Sequence, residues 1–165
     1  MSEGIQEHTL MAFWNYILLS EITHKIILTE LSFAERDSER FERFSKLKEM
    51  HELDNPDLFA DFSQRLLLKI EKLQSQINSI GEVTLKTNLT ELIYQGDINI
   101  LNKLVCDYLR EKNEVWVLFD NIDKGWPTRG ASTADIMIVR SLLYATRKLQ
   151  RQLDSNNVNL KCLIF

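Results

Sequence analysis

Five consecutive apolar residues of high β-propensity, Val115–Phe119, stop abruptly at Asp120. Such an uninterrupted run is typical of a strand that is buried on both faces of a parallel sheet. After a loop, Ser132 or Thr133 can cap a helix, and residues 158–165 form a second apolar run of the strand type. Strand, helix and strand within about 50 residues predict one right-handed parallel βαβ unit. The chain is therefore predicted to be an α/β protein.

Helical periodicity dominates the first two thirds of the chain. Apolar residues recur three or four positions apart in four segments: 9–33, 39–50, about 55–80 and 98–109. Asp37 or Ser38 is a candidate cap for the second segment, and Asp54–Asp57 is the predicted start of the third. Only 5 Gly and 2 Pro in 165 residues also favour long helices over a many-stranded sandwich. We predict a helical region at residues 1–82 and a nucleotide-binding α/β portion at residues 83–165.

Charge and targeting patterns exclude several classes of function. A formal net charge of -4 provides no global basic field, which disfavours nucleic acid as a partner. The most apolar segment, residues 10–19, is well short of the ~20 residues that span a bilayer, and the acidic start lacks a secretory signal. We therefore expect a cytoplasmic chain without membrane insertion. Cys106 and Cys162 are expected to be reduced core residues, and the three histidines lack the spacing of a metal site on one helix.

The segment Val115–Lys124, VWVLFDNIDK, resembles the Walker B region of P-loop NTPases, in particular of the STAND and KAP-like ATPases. In those proteins an apolar strand ends in an aspartate and a second acid follows three residues later. The resemblance covers residues 114–165 and implies a partial three-layer parallel P-loop core. It implies that Asp120 holds a water of a hydrated Mg²⁺ ion and that Asp123 orients or deprotonates the attacking water. Arg129, in the loop that follows, is a candidate for contact with a phosphate.

The chain departs from the family pattern in its phosphate-binding part. No G-x-x-x-x-G-K-[ST] loop is present, and in the nearest segment, Gly125–Ser132, Ala131 stands in place of the lysine. We therefore expect that this polypeptide alone binds no cofactor tightly and does not hydrolyse ATP at an appreciable rate. A longer parent protein would supply the missing part, with Mg²⁺ and ATP as its cofactors. The resemblance then implies a regulatory or signalling ATPase.

Two other hypotheses stay open. In the first, the chain is a non-enzymatic helical module that binds a protein partner or a second copy of itself, and the βαβ unit is scaffold. One part of the surface of the predicted helix after Ser132 carries four cations that an acidic partner could contact: Arg140, Arg147, Lys148 and Arg151. The simpler interpretation is that these cations are solvated and complement the helix dipole. In the second, residues 125–132 cradle a phosphate, and Gly130→Val would abolish ligand binding.

Overall fold

The computed structural model describes residues 3–55, 57, 59–80, 98–120 and 130–165. In these ranges the helices are α1 (Glu3–Thr29), α2 (Leu31–Ala34), α3 (Ser38–Asp54), α4 (Phe62–Ile80), α5 (Ile98–Leu109) and α6 (Thr133–Asp154). The strands are β1 (Glu114–Phe119), which precedes α6, and β2 (Asn159–Ile164), which follows it. The chain is thus α/β with a strong helical bias. None of the helices in the described ranges has the length and apolar character needed to cross a membrane.

The chain divides into two compact units. Unit 1 comprises Met1–Asn15 and Leu109–Phe165, and unit 2 comprises Tyr16–Tyr108. The first half of α1 therefore belongs to unit 1 and its second half to unit 2. The domain boundary predicted between residues 82 and 83 lies outside the described residues.

The helix ends show where local chemistry decides the boundaries. Asp37 caps α3, because its Oδ1 accepts a hydrogen bond from the backbone N of Arg40 at 2.8 Å. The predicted helix start at Asp54–Asp57 is wrong, since α3 continues through Asp54 and α4 begins at Phe62. Asp61 and Gln64 form the cap of α4 reciprocally: Asp61 Oδ1 accepts from Gln64 N at 2.9 Å, and Gln64 Oε1 accepts from Asp61 N at 3.0 Å. This exchange satisfies two donors at once, which explains the later start.

The core of unit 2 is built by helical stripes that the sequence predicts. The predicted apolar residues of α1 are buried at positions 17, 22, 26 and 27, and Phe44 and Leu47 of α3 are buried as well. Phe44 packs against Tyr108 at the end of α5, with ring centroids 6.3 Å apart. Leu31 and Phe41, which were predicted for the same stripes, are exposed instead. The periodicity therefore identifies the centre of each stripe better than its ends.

Unit 1 contains the predicted parallel βαβ unit. β1 pairs with β2 in parallel, from Glu114 opposite Asn159 to Phe119 opposite Ile164. The predicted core face of α6 is completely buried at Leu142, Ala145, Leu149 and Leu153, whereas Ile138 in its second turn is exposed. Gln150 Nε2 of α6 donates to the carbonyl of Leu160 in β2 at 3.0 Å. This side chain links the helix directly to the strand that follows it.

The prediction that β1 is buried on both faces is wrong. Its residues alternate between exposed and half-buried, with Trp116 and Leu118 on the exposed side. Residues paired in a parallel sheet point to the same face, so the exposed Leu163 of β2 extends this face. Burial on both sides requires a layer on each side, and the described residues leave this side open. We call the three exposed side chains Trp116, Leu118 and Leu163 the open sheet face.

Candidate functional site

Asp120 lies at the carboxyl end of β1, as predicted. It follows the strand directly and is exposed. The backbone N of Phe165 donates to the carbonyl of Phe119 at 3.0 Å, so the hydrogen bonding between the strands reaches the residue before Asp120. The sheet thus fixes the backbone next to Asp120 while its carboxylate is accessible to solvent. This combination suits a side chain that binds a ligand at the edge of the sheet.

The start of α6 belongs to the same edge, because the helix of a βαβ unit begins where the first strand ends. Its cap is a closed exchange between two residues. The backbone N and the hydroxyl of Ser132 both donate to Asp135 Oδ2 at 2.7 Å, and Asp135 N donates back to Ser132 Oγ at 3.2 Å. These hydrogen bonds, from the Ser132 side chain and then its backbone, lower the pKa of Asp135 below its ordinary value.

The capping exchange bears on the phosphate-cradle hypothesis. A phosphate loop needs free backbone amides and a free hydroxyl at the start of the helix. Here Ser132 already uses both groups on Asp135, and the carboxylate of Asp135 adds negative charge at this position. Gly130 has φ +102°, a conformation that favours glycine. This conformation explains the glycine by the backbone turn before α6, without a ligand. This geometry disfavours a phosphate in contact with Ser132.

The remaining predicted site residues, Asp123 and Arg129, lie outside the described residues. The structure therefore places only Asp120 of the predicted set, at the same edge of the sheet as the start of α6. Within the described ranges, no cluster of three or more Asp, Glu, His or Cys side chains could hold a metal ion. The magnesium site stays a prediction that depends on Asp120 together with residues of the loop.

A polar cluster on the exposed side of the sheet was missed by sequence reasoning. Lys161 Nζ lies 2.6 Å from Glu114 Oε2 and 4.7 Å from the centroid of the Trp116 ring. Trp116 Nε1 donates to Glu114 Oε1 at 3.0 Å. The hydrogen bonds from Lys161 and then Trp116 lower the pKa of Glu114. The alternation of side chains along a strand predicts that Glu114 and Trp116 lie on one face. Lys161 joins them because β2 pairs with β1 in a register that sets Lys161 opposite Trp116, and the sequence alone does not give this register. The cluster orders the amino end of the sheet, away from Asp120.

The candidate basic surface of α6 is divided in the structure. Arg140 is not a simply solvated cation, because it forms two hydrogen bonds with Glu7 of α1 within unit 1. Arg147 and Arg151 are exposed and line a shallow polar cleft with Asp154 and Asn159 at the amino end of β2. The cleft is therefore at the edge opposite Asp120. These cations do not contribute to the predicted magnesium site.

Comparison of the chain with protein-family models, with curated proteins and with solved structures found no match. The structure defines the class of the protein only as α/β with a helical bias. Any functional conclusion depends on the geometry around Asp120 and on the surfaces of unit 2.

Proposed function

We propose that β1, α6 and β2 form the Walker B-bearing portion of a P-loop ATPase core that binds Mg-ATP in the complete protein. The observation that carries this proposal is the exposed carboxylate of Asp120, held at the carboxyl end of a parallel strand by the ladder hydrogen bond next to it. Open α/β sheets bind their ligands at this edge. A carboxylate placed there is suited to hold a water of hydrated Mg²⁺.

The proposal assigns a separate role to each predicted residue. Asp120 would hold the hydrated Mg²⁺ ion, Asp123 would orient the attacking water, and Arg129 would contact a phosphate. The 165 residues lack the loop whose amides and lysine hold the phosphates. Nucleotide binding by this polypeptide would therefore be weak, and turnover would require a phosphate loop from elsewhere in the complete protein.

The open sheet face supports a larger nucleotide-binding core. Two strands alone make a sheet of marginal stability in water. Trp116 is 51% and Leu118 62% exposed, which is costly for large apolar side chains side by side. A second helical layer on this side, as in three-layer P-loop cores, would bury both.

Paramagnetic NMR with Mn²⁺ and ATP tests the role of Asp120 on the chain itself, because Mn²⁺ replaces Mg²⁺ and broadens signals only near its site. We expect selective broadening of the amide signals of Phe119, Asp120 and Phe165. Asp120→Asn should abolish it. Asp154→Asn, which changes an exposed aspartate at the other end of α6, is the matched control and should leave it intact. Broadening that is the same in Asp120→Asn would refute the assignment of Asp120, and so would the absence of broadening at Mn²⁺ and ATP concentrations high enough to reveal weak binding.

A second candidate function is favoured by exposed apolar side chains in unit 2. The segment around the start of α4 exposes several large residues: Leu53, Phe59, Phe62, Leu67 and Leu68. Phe59 is 90% exposed, so this aromatic side chain does not belong to the core. These residues fit a helical module that binds a protein or associates with itself.

Sedimentation at increasing protein concentration separates the two functions. An interaction module predicts association that Phe59→Ser weakens and Asp120→Asn leaves unchanged. A monomer at all concentrations, together with broadening by Mn²⁺ that depends on Asp120, favours the nucleotide-binding function.

A further inference from the structure

A chain of buried polar side chains connects three helices of unit 2. Lys69 Nζ of α4 donates to Asn55 Oδ1 at 2.7 Å. Asn55 Nδ2 lies 3.2 Å from His51 Nδ1, and His51 Nε2 of α3 lies 3.2 Å from His24 Nδ1 of α1. All four residues are buried. We call them the histidine chain.

The chemistry at one end of the histidine chain fixes the direction of every hydrogen bond. An ammonium group only donates, so the Asn55 atom that faces Lys69 is the carbonyl oxygen. The amide nitrogen of Asn55 therefore donates to His51, both to Nδ1 and to the backbone oxygen at 3.1 Å. His51 then carries its proton on Nε2 and donates it to His24 Nδ1. Both rings are neutral in this arrangement, with the proton on Nε2 of each.

Protonation of either ring would break this order. A proton on His51 Nδ1 would face the amide hydrogens of Asn55, and a proton on His24 Nδ1 would face the N–H of His51. Donor would meet donor without solvent to separate them. The neutral pair is thus the state that this packing requires.

Burial and most of the nearby charges also favour the neutral form of His24. Burial is the largest cause that lowers the pKa of His24, followed by the positive charge of Arg65 on α4. Lys69 on α4 and Lys25 on α1 also lower it, while Glu21 on α1 raises it. Glu21 is itself bound by Arg65. From α3, the group that faces His24 is His51.

The surroundings of the His24–His51 pair do not favour a bound metal ion. The two nitrogens are 3.2 Å apart, but no third His, Cys, Asp or Glu joins them among the described residues. Lys69 and Arg65 would also repel a cation there. The pair is therefore better suited to a response to pH than to metal binding.

We propose that the His24–His51 pair is a pH-sensitive joint that fastens α1 to α3 when both rings are neutral and loosens when one ring is protonated. The proposal is independent of nucleotide binding. Because the folded-state pKa of His24 is below its value of about 6.5 in an unfolded chain, the stabilisation is complete above about pH 6.5. It is lost progressively as the pH falls below that value.

Hydrogen exchange on the full chain at about pH 7.5 and about pH 5.5 tests the joint, with exchange rates corrected for their intrinsic pH dependence. We expect the protection of residues 18–27 and 44–51 to fall up to about tenfold per pH unit below 6.5, relative to residues 142–153 of unit 1. His24→Asn is the informative variant, because its Oδ1 accepts the hydrogen bond of His51 and cannot be protonated at these pH values. The protection of this variant should fall less with acid than that of the wild type, because only His51 can still be protonated. His8→Asn changes an exposed histidine of unit 1 and should behave as the wild type.

Two outcomes would overturn the proposal: equal protection of the wild type at both pH values, or an equal acid loss in His24→Asn. A second measurement does not depend on any variant. In the wild type, ¹⁵N shifts of the rings should show the Nε2–H form for His24 and His51, and His24 should titrate below the ordinary histidine range. Titration of His24 at or above that range would contradict the joint.

Discussion

Arg140 holds Glu7 through two parallel hydrogen bonds, from Nε to Oε1 at 2.7 Å and from Nη2 to Oε2 at 2.8 Å. The pair connects the first half of α1 with α6 inside unit 1. Only a guanidinium group presents two N–H donors with this spacing, so a lysine at the same position cannot replace it.

We predict that Arg140→Lys lowers the thermal midpoint of unit 1 slightly and that the difference from the wild type shrinks at about 1 M salt. The hydrogen bond from Arg140 also lowers the pKa of Glu7 below 4.5, so the stabilisation is present above that pH and is lost as the pH falls through the lowered value. Thermal unfolding followed by circular dichroism at several pH values and salt concentrations measures both effects. A salt-independent difference would contradict an electrostatic origin.

Adjacent leucines in α6 test the orientation of the helix. Leu142 is completely buried, whereas Leu143 is 45% exposed. We expect Leu142→Ala to lower the free energy of unfolding by about 2–5 kcal/mol, because it removes buried methyl groups and leaves a cavity. Leu143→Ala should cost less than about 1 kcal/mol. Urea unfolding of the two variants provides the comparison, and equal losses would show that α6 does not face the sheet as described.

The capping exchange at the start of α6 predicts both a stability change and a pH effect. Ser132→Ala removes the cap and should cost about 1 kcal/mol in urea unfolding. Since Ser132 lowers the pKa of Asp135 below 3.8, the part of this stabilisation that comes from the carboxylate is present above that pH and is lost as the pH falls through the lowered value. Ser155→Ala, which changes the residue after the other end of α6, is the control. A cost that persists unchanged under strongly acidic conditions would contradict the role of the Asp135 carboxylate.

Arg65 of α4 and Glu21 of α1 form a largely buried ion pair in unit 2, which includes a hydrogen bond from Nε to Oε1 at 3.0 Å. We predict that Arg65→Ala costs about 2–3 kcal/mol of unfolding free energy. The value is below that for a fully buried pair, because the side chain of Glu21 is 28% exposed.

The exposed pair Lys48–Glu52 serves as the control for this ion pair, and Lys48→Ala should change stability by less than about 0.5 kcal/mol. A double-mutant cycle with Glu21→Gln isolates the coupling between Arg65 and Glu21. Coupling near zero would show that the cost of Arg65→Ala comes from lost packing.

Local patterns in the sequence predicted much of the fold. The periodicity of α6 identified Leu142 and Leu149 as core residues, and the apolar run before Asp120 predicted both β1 and the position of Asp120 at its carboxyl end. The prediction for the start of α4 failed for a local reason, because capping side chains are present both at residues 54–57 and at residue 61. Only the structure shows that the helix starts with the exchange between Asp61 and Gln64.

Contacts between distant positions could not be predicted in the same way. His24 and His51 are 27 positions apart, and Glu114 and Lys161 are 47 positions apart. Helical spacing within one segment contains no information about such pairs, because they depend on how the helices pack and on the strand register. The same limit explains why β1 was predicted to be buried on both faces. An apolar run does not show how many layers of the fold pack against the strand.

The parallel pairing of Glu114 with Asn159 also determines the order in which unit 1 can fold. No hydrogen bond between β1 and β2 can form until the residues between the strands bring Asn159 back beside Glu114. α6 needs only local contacts and can form within about a microsecond. The nucleus of unit 1 is therefore expected in α6 and the turn after it, and the strands become protected last.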